Sequence, residues 1–588
     1  MNDHHDEILY DVDLVIVGSE GAGSTAAIEA GRRGLSALMI TKGIGLGRSG
    51  ATITGEADLA VDSKSVHDIF KFTGADLEDS MDKFFEDIIL GGKYLNQQNL
   101  VRIHVQDAPV RLKDLVDWGL RPSMVIKASG HTRPRSVMVS APEMIRVYRK
   151  KVKESGVRML SKVMVQELLT KDGRCVGVLG LDVETGQFVT VKARATLLCT
   201  GGGMRIYPVT TGPEELTGDG TAMAYRAGVE LIDMEFPMFL PGTFPWPRAV
   251  MGVNTPFKLS SAGFIHGYLY NRHGERFVAK WDPERMERST RDIIAIAIAT
   301  EILEGRGSPH GGVYVSVKHM PDNLIANLDA WLPRKYLAHY GGFDMTRILP
   351  DLTKHAVESV PGCHFFNGGI KIDEWCHTNL PGLYAAGEVT GGVHGANRLS
   401  GNAFTEMVVW GHRAVLGIAE DLKKGVPKSE LDQEQMKAYK AQMLDPLTRP
   451  KGEDAERMRA ELMQTAWQKV GIVRTKEGLQ QSKAKMEEFQ KAGAEIALSC
   501  RERIWNRSWL RAIEFKNMVQ NLAIITETAL AREESRGSHF RKDFPQTDNK
   551  SWLKNQIILK KDNALTLRQV PPVITSMKPP AEVKKYGL

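Results

Sequence analysis

The stretch "DLVIVGSEGAG" at residues 13–23 decides the fold prediction. An apolar run ends in closely spaced glycines, and "STAAIEAGRRG" at residues 24–34 then has the pattern of a helix. A strand, a glycine turn and a helix in this order are typical of a site that binds a dinucleotide pyrophosphate at the helix N-terminus. The usual spacing Gly-x-Gly-x-x-Gly is broken at its middle position, where Glu20 stands between Gly18 and Gly23.

Glu20 allows two interpretations of this turn. The middle glycine normally lets the backbone approach the pyrophosphate, so a carboxylate there could abolish binding. The side chain is tolerated if it points away from the phosphates, because Gly21, Ala22 and Gly23 still form a helix start without long side chains. We favour the second interpretation and predict that the cofactor site is kept.

The composition is that of an ordinary globular protein, with 42% hydrophobic and 25% charged residues among 588. That length predicts roughly three to five domains. The net charge of +6 is spread over 77 basic and 71 acidic residues, which is too dilute to indicate a nucleic-acid partner.

Five cysteines are scattered along the chain without a Cys-x-x-Cys pair. This spacing predicts a reducing compartment, no disulfide framework, no metal site and no iron–sulfur cluster held by this chain alone. The acidic start "MNDHHDEILYDVD" lacks the apolar core of a secretory signal, and no run approaches the roughly 18 apolar residues that span a bilayer. We therefore expect a cytoplasmic protein that meets a membrane only through partner subunits, as a peripheral component on its inner face.

The order of patterns along the chain predicts an α/β fold. Residues 13–42 form one βαβ unit, and residues 163–202 alternate like a β-meander that ends on a buried strand. Residues 421–455 are charged and have the character of a linker, and amphipathic helices follow them. The predicted division is a cofactor-binding domain at 1–238 and 351–420, an inserted capping domain at 239–350, a helical domain at 421–525 and a small C-terminal domain at 526–588.

Seven segments in one order carry a family resemblance and cover nearly the whole chain: "VIVGSEGAG" (15–23), "TGGGMRIYPVTTGPEELTGDGTAMAYRAG" (200–228), "LYNRHGERFVAKWDP" (269–283), "STRDIIAIAI" (289–298), "HFFNGGIKID" (364–373), "GLYAAGEVTGGVHGANRLSGNAFTEMVVWGHRA" (382–414) and "REESRGSHFRKDFP" (532–545). The chain resembles the flavoprotein subunits of the succinate dehydrogenase/fumarate reductase family, which also includes L-aspartate oxidase and adenylylsulfate reductase. The resemblance implies a Rossmann-like FAD-binding domain with an inserted capping domain.

The glycine-rich segments support FAD as the cofactor. In "TGGG" at 200–203, backbone without side chains can pass close to a cofactor at a strand end. Asp219 lies between glycines at a helix start, with its carboxylate free for a hydroxyl or a cap, and Glu388 follows a strand, where related flavoproteins hold a ribose. The predicted cofactor-binding residues are Gly18, Glu20, Gly21, Ala22, Gly23, Thr41, Lys42, Ser49, Gly50, Thr200, Gly201, Gly202, Asp219, Gly387, Glu388, Arg398 and Asn402.

The family resemblance also bears on how the flavin is attached. In succinate dehydrogenases a histidine in a Ser-His-Thr loop bonds covalently to the flavin. The matching segment here is "GRSGAT" at 47–52, which has Gly50 at the histidine position. We therefore predict that FAD is bound non-covalently.

Three residues of the family's substrate site are kept. The resemblance implies that Arg291 exchanges a proton with the reacting C–C bond and that His364 and Arg398 bind a dicarboxylate. Considered alone, a guanidinium with a pKa above about 12 is a poor acid and a better carboxylate clamp. Arg291 could instead form a salt bridge at a helix start, and His364 could be a packed, hydrogen-bonded histidine.

Other anchors of that site are missing. Leu240 in "FLPGTF" replaces the carboxylate-binding histidine of the family's "HPTG" motif. Ser260, Ser261 and Ala262 stand where fumarate-handling members have a Thr-Glu pair. Losing such partners costs roughly 10⁴-fold in recognition, which argues against plain succinate or fumarate. The nearby side chains suit a larger, partly apolar acid or thioester: Phe244, Trp246 and Arg248.

Two classes of function follow from these residues. In the first, the chain is an enzyme that moves a hydride between flavin N5 and a C–C or C=C bond beside a carboxyl or thioester group, and an iron–sulfur subunit exchanges its electrons. A genuine succinate/fumarate enzyme and an aspartate-oxidase-like enzyme are alternatives within this class. In the second, the chain is an electron-transfer or scaffold subunit with a decayed substrate site. The retention of Arg291, His364 and Arg398 together favours the enzyme.

Overall fold

The computed structural model describes residues 7–55, 58–128, 130–255, 267–326 and 350–580. Its strands are β1 (Glu7–Val17), β2 (Ala37–Ile40), β3 (Asp58–Ala60), β4 (Met124–Ile126), β5 (Ser136–Met138), β6 (Arg158–Leu160), β7 (Val163–Lys171), β8 (Arg174–Asp182), β9 (Phe188–Leu198), β10 (Leu231–Ile232), β11 (Pro237–Thr243), β12 (Tyr268–Tyr270), β13 (Val313–Ser316), β14 (Val357–Phe366), β15 (Gly369–Lys371), β16 (Leu383–Ala385), β17 (Thr390–Gly391), β18 (Val473–Arg474), β19 (Phe540–Arg541), β20 (Asn555–Lys561) and β21 (Ala564–Val570).

The α-helices are α1 (Gly21–Arg32), α2 (Ser63–Phe70), α3 (Met81–Gly91), α4 (Gln98–Asp117), α5 (Ala141–Ser155), α6 (Asp219–Arg226), α7 (Arg291–Leu303), α8 (Asp322–Ala326), α9 (Asn402–Lys423), α10 (Gln433–Thr448), α11 (Ala455–Lys469), α12 (Lys476–Gly493), α13 (Arg507–Ala531) and α14 (Asn549–Trp552). Short 3₁₀ turns lie at Met204–Ile206, Arg248–Val250, Phe277–Lys280 and Met286–Arg288.

The main sheet has the strand order β6-β2-β1-β9-β8-β7, with β16 beside β9. β1 is parallel to β2 and β9, and β16 is parallel to β9. β8 and β7 continue the sheet in antiparallel order, which confirms the predicted meander. Leu14, Val15 and Ile16 are fully buried, as expected for a parallel strand covered on both faces. Helix α1 packs on this sheet against α5 and α9.

A second sheet ties the end of the described chain to its first half. Its order is β17-β15-β10-β20-β21, so the C-terminal hairpin β20–β21 pairs with β10 in antiparallel fashion. Ile557 and Ile558 are fully buried in this pairing. The C-terminal segment is therefore part of the same core as the cofactor-binding domain.

The inserted segment forms a smaller unit. Strands β11, β14, β13 and β12 make a four-stranded antiparallel sheet, and α7 packs against β11 and β14. Ile294 and Ile298 of α7 are fully buried in a cluster with Leu269. We keep the division into four domains as a proposal, although β14 extends this sheet to Phe366, past the boundary proposed at residue 350.

The prediction of a linker over 421–455 is wrong in its centre. Helix α10 spans Gln433–Thr448 and packs on α13. Met436, Met443 and Leu447 are buried in the cluster that α11, α12 and α13 share. Their spacing of seven and four residues places them on one helix face, and the charged residues between them hid this sparse apolar face. The amphipathic helices predicted after this stretch are present as α11 and α12.

Among the helices that the structure describes, none is long and apolar enough to cross a membrane. The five cysteines are free thiols. No group of three or more His, Cys, Asp or Glu side chains is arranged to hold a metal ion in the described residues.

Candidate active site

A cleft opens at the carboxyl ends of β1, β2, β9 and β16. In parallel sheets this edge is where ligands gather. One wall comes from the main sheet and its glycine turns, and the opposite wall comes from β11, β14 and the start of α7. The cleft therefore lies between the cofactor-binding and capping segments.

The β1–α1 turn is built for a close approach of the backbone. Gly18 has φ +113°, and a Cβ atom there would lie 2.1 Å from the carbonyl oxygen of Cys199. A Cβ at Gly21 would lie 1.8 Å from Met407 Sδ. Both residues line the cleft, and the N–H of Gly21 donates to Thr52 Oγ1 at 3.3 Å. The bare helix start that the sequence predicted is present.

Gly23 was predicted to contact the cofactor, but the structure places it in the packing between α1 and the end of β1. It does not line the cleft, and a Cβ atom there would lie 1.9 Å from the carbonyl oxygen of Gly18. Its missing side chain lets α1 pack closely on β1. It acts on the cofactor turn through this packing.

Glu20 lines the cleft, and the loop that follows β2 engages its side chain. The N–H of Gly47 donates to Glu20 Oε1 at 2.9 Å. Burial raises the pKa of Glu20 to about 8, against the lowering effect of the Gly47 hydrogen bond. The side chain is therefore protonated at neutral pH, which removes a negative charge from the place where a pyrophosphate is predicted. Its orientation away from bound phosphates stays a prediction.

Gly50 packs against Glu20 and takes a left-handed backbone. Its φ is +79°, and a Cβ atom there would lie 2.4 Å from Glu20 Cγ. A side chain at residue 50 would have to displace Glu20 and adopt a strained conformation. Glu20 and Gly50, which both depart from the family pattern, therefore pack against each other.

Thr200, Gly201, Gly387 and Glu388 line the cleft from the ends of β9 and β16, as predicted. Glu388 Oε1 accepts a hydrogen bond from the N–H of Phe366 at 3.1 Å, and burial raises the pKa of Glu388 to about 8. Gly202 does not line the cleft. A Cβ atom there would lie 2.5 Å from Glu388 Oε1, so this glycine makes room for the carboxyl group.

Asp219 lines the cleft at the start of α6, but its carboxylate is not free as predicted. Lys42 Nζ lies 2.8 Å from Asp219 Oδ2, and Thr217 Oγ1 and Asn517 Nδ2 donate to Oδ1 at 2.9 and 2.7 Å. The carboxylate is committed to the packing of α6 and α13. Thr41, Lys42 and Ser49 line the same end of the cleft.

Asn402 is the clearest mismatch among the predicted cofactor residues. It begins α9 and does not line the cleft, and its Oδ1 bonds to His104 Nε2 at 2.9 Å. Its side chain therefore faces a buried histidine of α4. Its neighbours Ser400, Gly401 and Ala403 line the cleft instead.

The structure brings Arg291, His364 and Arg398 together in the cleft, within electrostatic reach of one another. Arg291 starts α7, and its Nη2 donates to Ser400 Oγ at 3.2 Å. His364 lies in β14, and its Nδ1 is 2.8 Å from Thr211 Oγ1. Arg398 is buried over the ring of Phe365, 4.6 Å from its centroid, and its Nη1 donates to the carbonyl oxygen of Leu399.

The charges of these three residues favour an anionic ligand. Burial and then repulsion by Arg291 lower the pKa of Arg398 to about 10, while Asp58 opposes the shift. Burial, Arg398 and Arg291 hold the pKa of His364 well below its usual range. At neutral pH the cleft therefore presents two guanidinium cations and a neutral imidazole. A carboxylate placed among them would relieve the repulsion between the cations.

The predicted apolar neighbours lie elsewhere. Phe244 is buried in the core of the capping segment, and Trp246 is exposed and stacks on His310 at 4.9 Å. Arg248 is exposed, and none of Phe244, Trp246 and Arg248 lines the cleft. Leu240 does line it, while Ser260, Ser261 and Ala262 lie outside the described residues.

Sequence reasoning missed Asp58 and Ser400. Both line the cleft, and the hydroxyl of Ser400 donates to Asp58 Oδ2 at 3.3 Å across 342 positions of sequence. Asp58 lies in an unremarkable stretch at the start of β3, so no local pattern marks it. Ser400 lies inside the quoted segment "HGANRLSG", and its position beside Arg398 was the available signal.

Comparison with known proteins assigns the family. Residues 13–404 match the model of an FAD-binding domain, and residues 459–586 match the C-terminal domain of fumarate reductase flavoproteins. The chain belongs to this flavoprotein family. It is 36% identical to a fumarate reductase (CoM/CoB) subunit from Methanothermobacter marburgensis, over 94% of this chain and 98% of the relative.

Two mycobacterial proteins are also similar along almost their whole length. The fumarate reductase flavoprotein subunit of Mycobacterium tuberculosis is 30% identical over 98% of this chain and 99% of its own. The structure of Mycobacterium smegmatis Sdh1 in complex with UQ1 matches with a TM-score of 0.83 and 31% identity, over 97% and 96% of the two chains. The present chain is therefore an FAD-dependent oxidoreductase of the fumarate reductase/succinate dehydrogenase type that acts on CH–CH bonds.

The cleft of this flavoprotein fits FAD. The bare backbone at Gly18 and Gly21 provides a cradle in which any Cβ atom would collide with Cys199 or Met407. Thr200 has a buried hydroxyl without a hydrogen-bond partner among the described residues, and it lines the cleft. A buried polar atom left unsatisfied in this way suits a ligand that completes its hydrogen bond.

Proposed function

We propose that this flavoprotein interconverts C–C and C=C bonds beside a carboxyl or thioester group, with Arg291, His364 and Arg398 as its substrate-contacting residues. The convergence of these three side chains in the FAD cleft carries the proposal. FAD, when bound, supplies or accepts a hydride. The chain's own residues must bind the acid, orient it and transfer the proton.

Arg398 and His364 are proposed to bind and orient the carboxyl group. Arg398 is held rigidly over Phe365, so its guanidinium can form a bidentate pair with a carboxylate at little cost in entropy. His364 is oriented by Thr211 and can donate or accept one hydrogen bond. Such positioning is worth several powers of ten in rate when the reacting atoms are aligned.

Arg291 is proposed to transfer the proton at the C–C bond. The family resemblance suggests this role, and Arg291 lines the cleft within electrostatic reach of Arg398. In the reducing direction an N–H bond of Arg291 breaks and a C–H bond forms on the substrate.

The proposed substrate is a carboxylic acid or an acyl thioester. Leu240 in place of a histidine removes one polar anchor and adds an apolar contact. Fumarate belongs among the compounds to test, since the relatives from Methanothermobacter marburgensis and Mycobacterium tuberculosis are named fumarate reductases. Phe244, Trp246 and Arg248 give no support for a larger substrate.

The decisive experiment is a steady-state assay of the FAD-loaded chain with reduced viologen and a panel of enoic acids and enoyl thioesters. Arg291→Lys should lower double-bond reduction by about 10²-fold or more and leave the flavin absorbance unchanged, because lysine lacks the planar fork. His364→Ala and Arg398→Ala should raise KM as well as lower kcat. The matched control is Arg288→Lys, an exposed arginine three residues before Arg291.

If Arg291→Lys reduces substrate at the parent rate, the proposal fails. The chain would then be better described as an electron-transfer or scaffold subunit whose substrate site has decayed. If Arg291→Lys is inactive while Arg288→Lys is fully active, the proposed site is supported.

We also propose that an iron–sulfur subunit exchanges electrons with this flavin. The scattered cysteines of this chain support a separate cluster-bearing partner, and the relative from Methanothermobacter marburgensis is named as one subunit of its enzyme. Anaerobic affinity purification should recover a second chain with iron and acid-labile sulfide. Recovery of this chain alone, with rapid turnover by oxygen, would contradict the partner and favour an aspartate-oxidase-like enzyme.

A further inference from the structure

Arg291 is hydrogen-bonded to a chain of polar groups that the proposed function leaves unused. Arg291 Nη2 donates to Ser400 Oγ at 3.2 Å, and Ser400 Oγ donates to Asp58 Oδ2 at 3.3 Å. All three side chains line the cleft. They come from α7, from the segment before α9 and from β3, so the tertiary fold alone brings them together.

The backbone around Asp58 and Ser400 holds this geometry in place. Gly401 has φ +78°, and a Cβ atom there would lie 3.1 Å from Asp58 Oδ2 and 2.9 Å from the nitrogen of Ala60. Thr405 Oγ1 donates to the carbonyl oxygen of Ala60 at 2.8 Å, which fastens β3 to the first turn of α9. Asp58 and Ser400 are each only 8% exposed.

His131 fixes Ser400 from the other side. Its Nε2 lies 2.8 Å from the carbonyl oxygen of Ser400. Burial lowers the pKa of His131 to about 4, so the imidazole is neutral near pH 7 and its Nε2–H acts as the donor. This hydrogen bond anchors the backbone of Ser400, whose hydroxyl contacts both Asp58 and Arg291.

A proton-transferring arginine needs such a partner. A guanidinium has a pKa above about 12, so after it has given a proton away its neutral form must be recharged before the next turnover. Water can do this only if it reaches Arg291 beside a bound substrate. A carboxyl group one hydroxyl away supplies the proton without displacing the substrate.

We propose that Asp58 and Ser400 are positioning residues that return a proton to Arg291 during reduction of the double bond. The inference rests on the proposed function, in which Arg291 transfers a proton to the substrate carbon. The neutral Arg291 then accepts the hydroxyl proton of Ser400 at Nη2, and Ser400 accepts the proton of the Asp58 carboxylic acid. Asp58 is left as a carboxylate and regains its proton from water in the cleft. In the oxidising direction every transfer is reversed.

Charge balance in the cleft agrees with this assignment. Asp58 raises the pKa of Arg398 while Arg291 lowers it, so the carboxylate lies within electrostatic reach of the arginine cluster. When Asp58 is ionised, it stabilises the protonated form of Arg291 through Ser400.

The test compares Asp58→Asn with Asp58→Glu and Ser400→Ala with Ser400→Thr in the FAD-loaded chain. Asp58→Asn and Ser400→Ala should lower kcat about 10- to 100-fold with KM changed less than about threefold, because each removes one proton-transferring group without removing the substrate clamp. Asp58→Glu and Ser400→Thr keep the groups and should recover most of the rate. Asp62→Asn, a buried carboxylate on the same segment that does not line the cleft, is the matched control.

Two readouts separate proton return from a structural role. The kcat of Asp58→Asn should fall more in D₂O than the kcat of the parent, because proton return becomes rate-limiting. Added formate or acetate should raise the rate of Asp58→Ala with a dependence on the concentration of the protonated acid. A flavin spectrum identical to the parent in each variant shows that the cofactor site is intact.

The outcomes are distinct. If Asp58→Asn and Ser400→Ala keep the parent kcat while Arg291→Lys is inactive, this inference fails and the proposed function stands. If they raise KM and leave kcat unchanged, Asp58 binds substrate and the inference also fails. If an Asp58 variant loses FAD, the kcat values of Ser400→Ala and Ser400→Thr decide. Threonine keeps the hydroxyl that transfers the proton and alanine removes it, so equal kcat values would contradict the inference. If Arg291→Lys is fully active, the proposed function itself is wrong.

Discussion

Lys42 Nζ lies 2.5 Å from Glu514 Oε1, and this ion pair joins the end of β2 to helix α13. The same ammonium lies 2.8 Å from Asp219 Oδ2 at the start of α6. Burial lowers the pKa of Lys42, but the carboxylates of Asp219 and Glu514 outweigh it and raise the pKa above its usual value. Lys42 is therefore charged at all physiological pH values, and it couples the cofactor-binding domain to the helical region.

Lys42→Met should destabilise the protein by about 3 kcal/mol, because it leaves buried carboxylates with fewer cationic partners. The free energy of unfolding is measured by urea denaturation of the flavin-free chain, followed by tryptophan fluorescence. Lys64→Met is the control, since Lys64 forms an exposed pair with Asp68 on α2 and should change stability by less than about 0.5 kcal/mol. Equal stability of Lys42→Met and the parent would show that α13 is held without this pair.

Acid precipitation should release all the flavin from the native chain. Gly50 provides no nucleophilic side chain, and its Cβ position is blocked by Glu20 Cγ at 2.4 Å. The flavin fluorescence of the supernatant and of the denatured pellet is compared after precipitation. Fluorescence that stays with the polypeptide would contradict non-covalent binding.

The same geometry predicts the result of adding a histidine. Gly50→His should lower the flavin content and form no covalent bond, because a side chain at φ +79° must displace Glu20. Gly34→His, at another left-handed glycine with open space around it, is the control for backbone strain. A covalent flavin in Gly50→His would show that the loop can rearrange around Glu20.

FAD affinity should decrease as the pH rises through about 8, because Glu20 becomes a carboxylate beside the predicted pyrophosphate site. The folded-state pKa lies above the ordinary value of 4.5, so the protonated group is favoured in the folded chain. The contribution of Glu20 to the free energy of unfolding is therefore fully present below pH 4.5. It is lost progressively as the pH rises to about 8. Above pH 8 the affinity should fall by up to about tenfold per pH unit.

Glu20→Gln should remove this dependence, since the amide stays neutral and can still accept from the N–H of Gly47. FAD titrations by fluorescence quenching at several pH values measure the effect. Glu430→Gln, with an exposed side chain, should behave like the parent. A parent affinity that is flat across pH 8 would mean that Glu20 does not ionise near the bound cofactor.

The parts of the fold that could be predicted are those with strong local patterns. The β1–α1 unit is defined by its buried apolar run and glycine turn, and the meander β7–β9 by alternation and turn residues. Helix α10 was missed because its buried apolar residues, among them Met436, Met443 and Leu447, are sparse among charged ones. Periodicity of this kind becomes visible only when the partner surface is known.

The site residues likewise divide into those marked by a local sequence motif and those that depend on tertiary contacts. Glycine turns and the motifs around Arg291, His364 and Arg398 were readable because each lies in a distinctive segment. The contact of Asn402 with His104 could not be predicted, because the direction of a side chain at a helix start depends on its tertiary partner. Asp58 could not be found, since only the tertiary fold brings it into contact with Ser400 in the cleft.

Leu240 offers a test of substrate choice within the same cleft. It lies in β11 opposite Gly362 of β14, two residues before His364, and both Leu240 and His364 line the cleft. Leu240→His would add a hydrogen-bond donor near His364. The family resemblance predicts a carboxylate-binding histidine at this position.

We expect Leu240→His to raise kcat/KM for fumarate by about tenfold or more, because a site that pairs a substrate's polar group discriminates far better than an apolar one. The gain should appear mainly as a lower KM, since the added contact binds the ground state as well as the transition state. Leu240→Phe, which changes volume without adding a donor, should give no gain. If Leu240→His and Leu240→Phe act alike on every acid in the panel, residue 240 does not contact the carboxyl group, and the missing histidine is not what sets substrate choice in this flavoprotein.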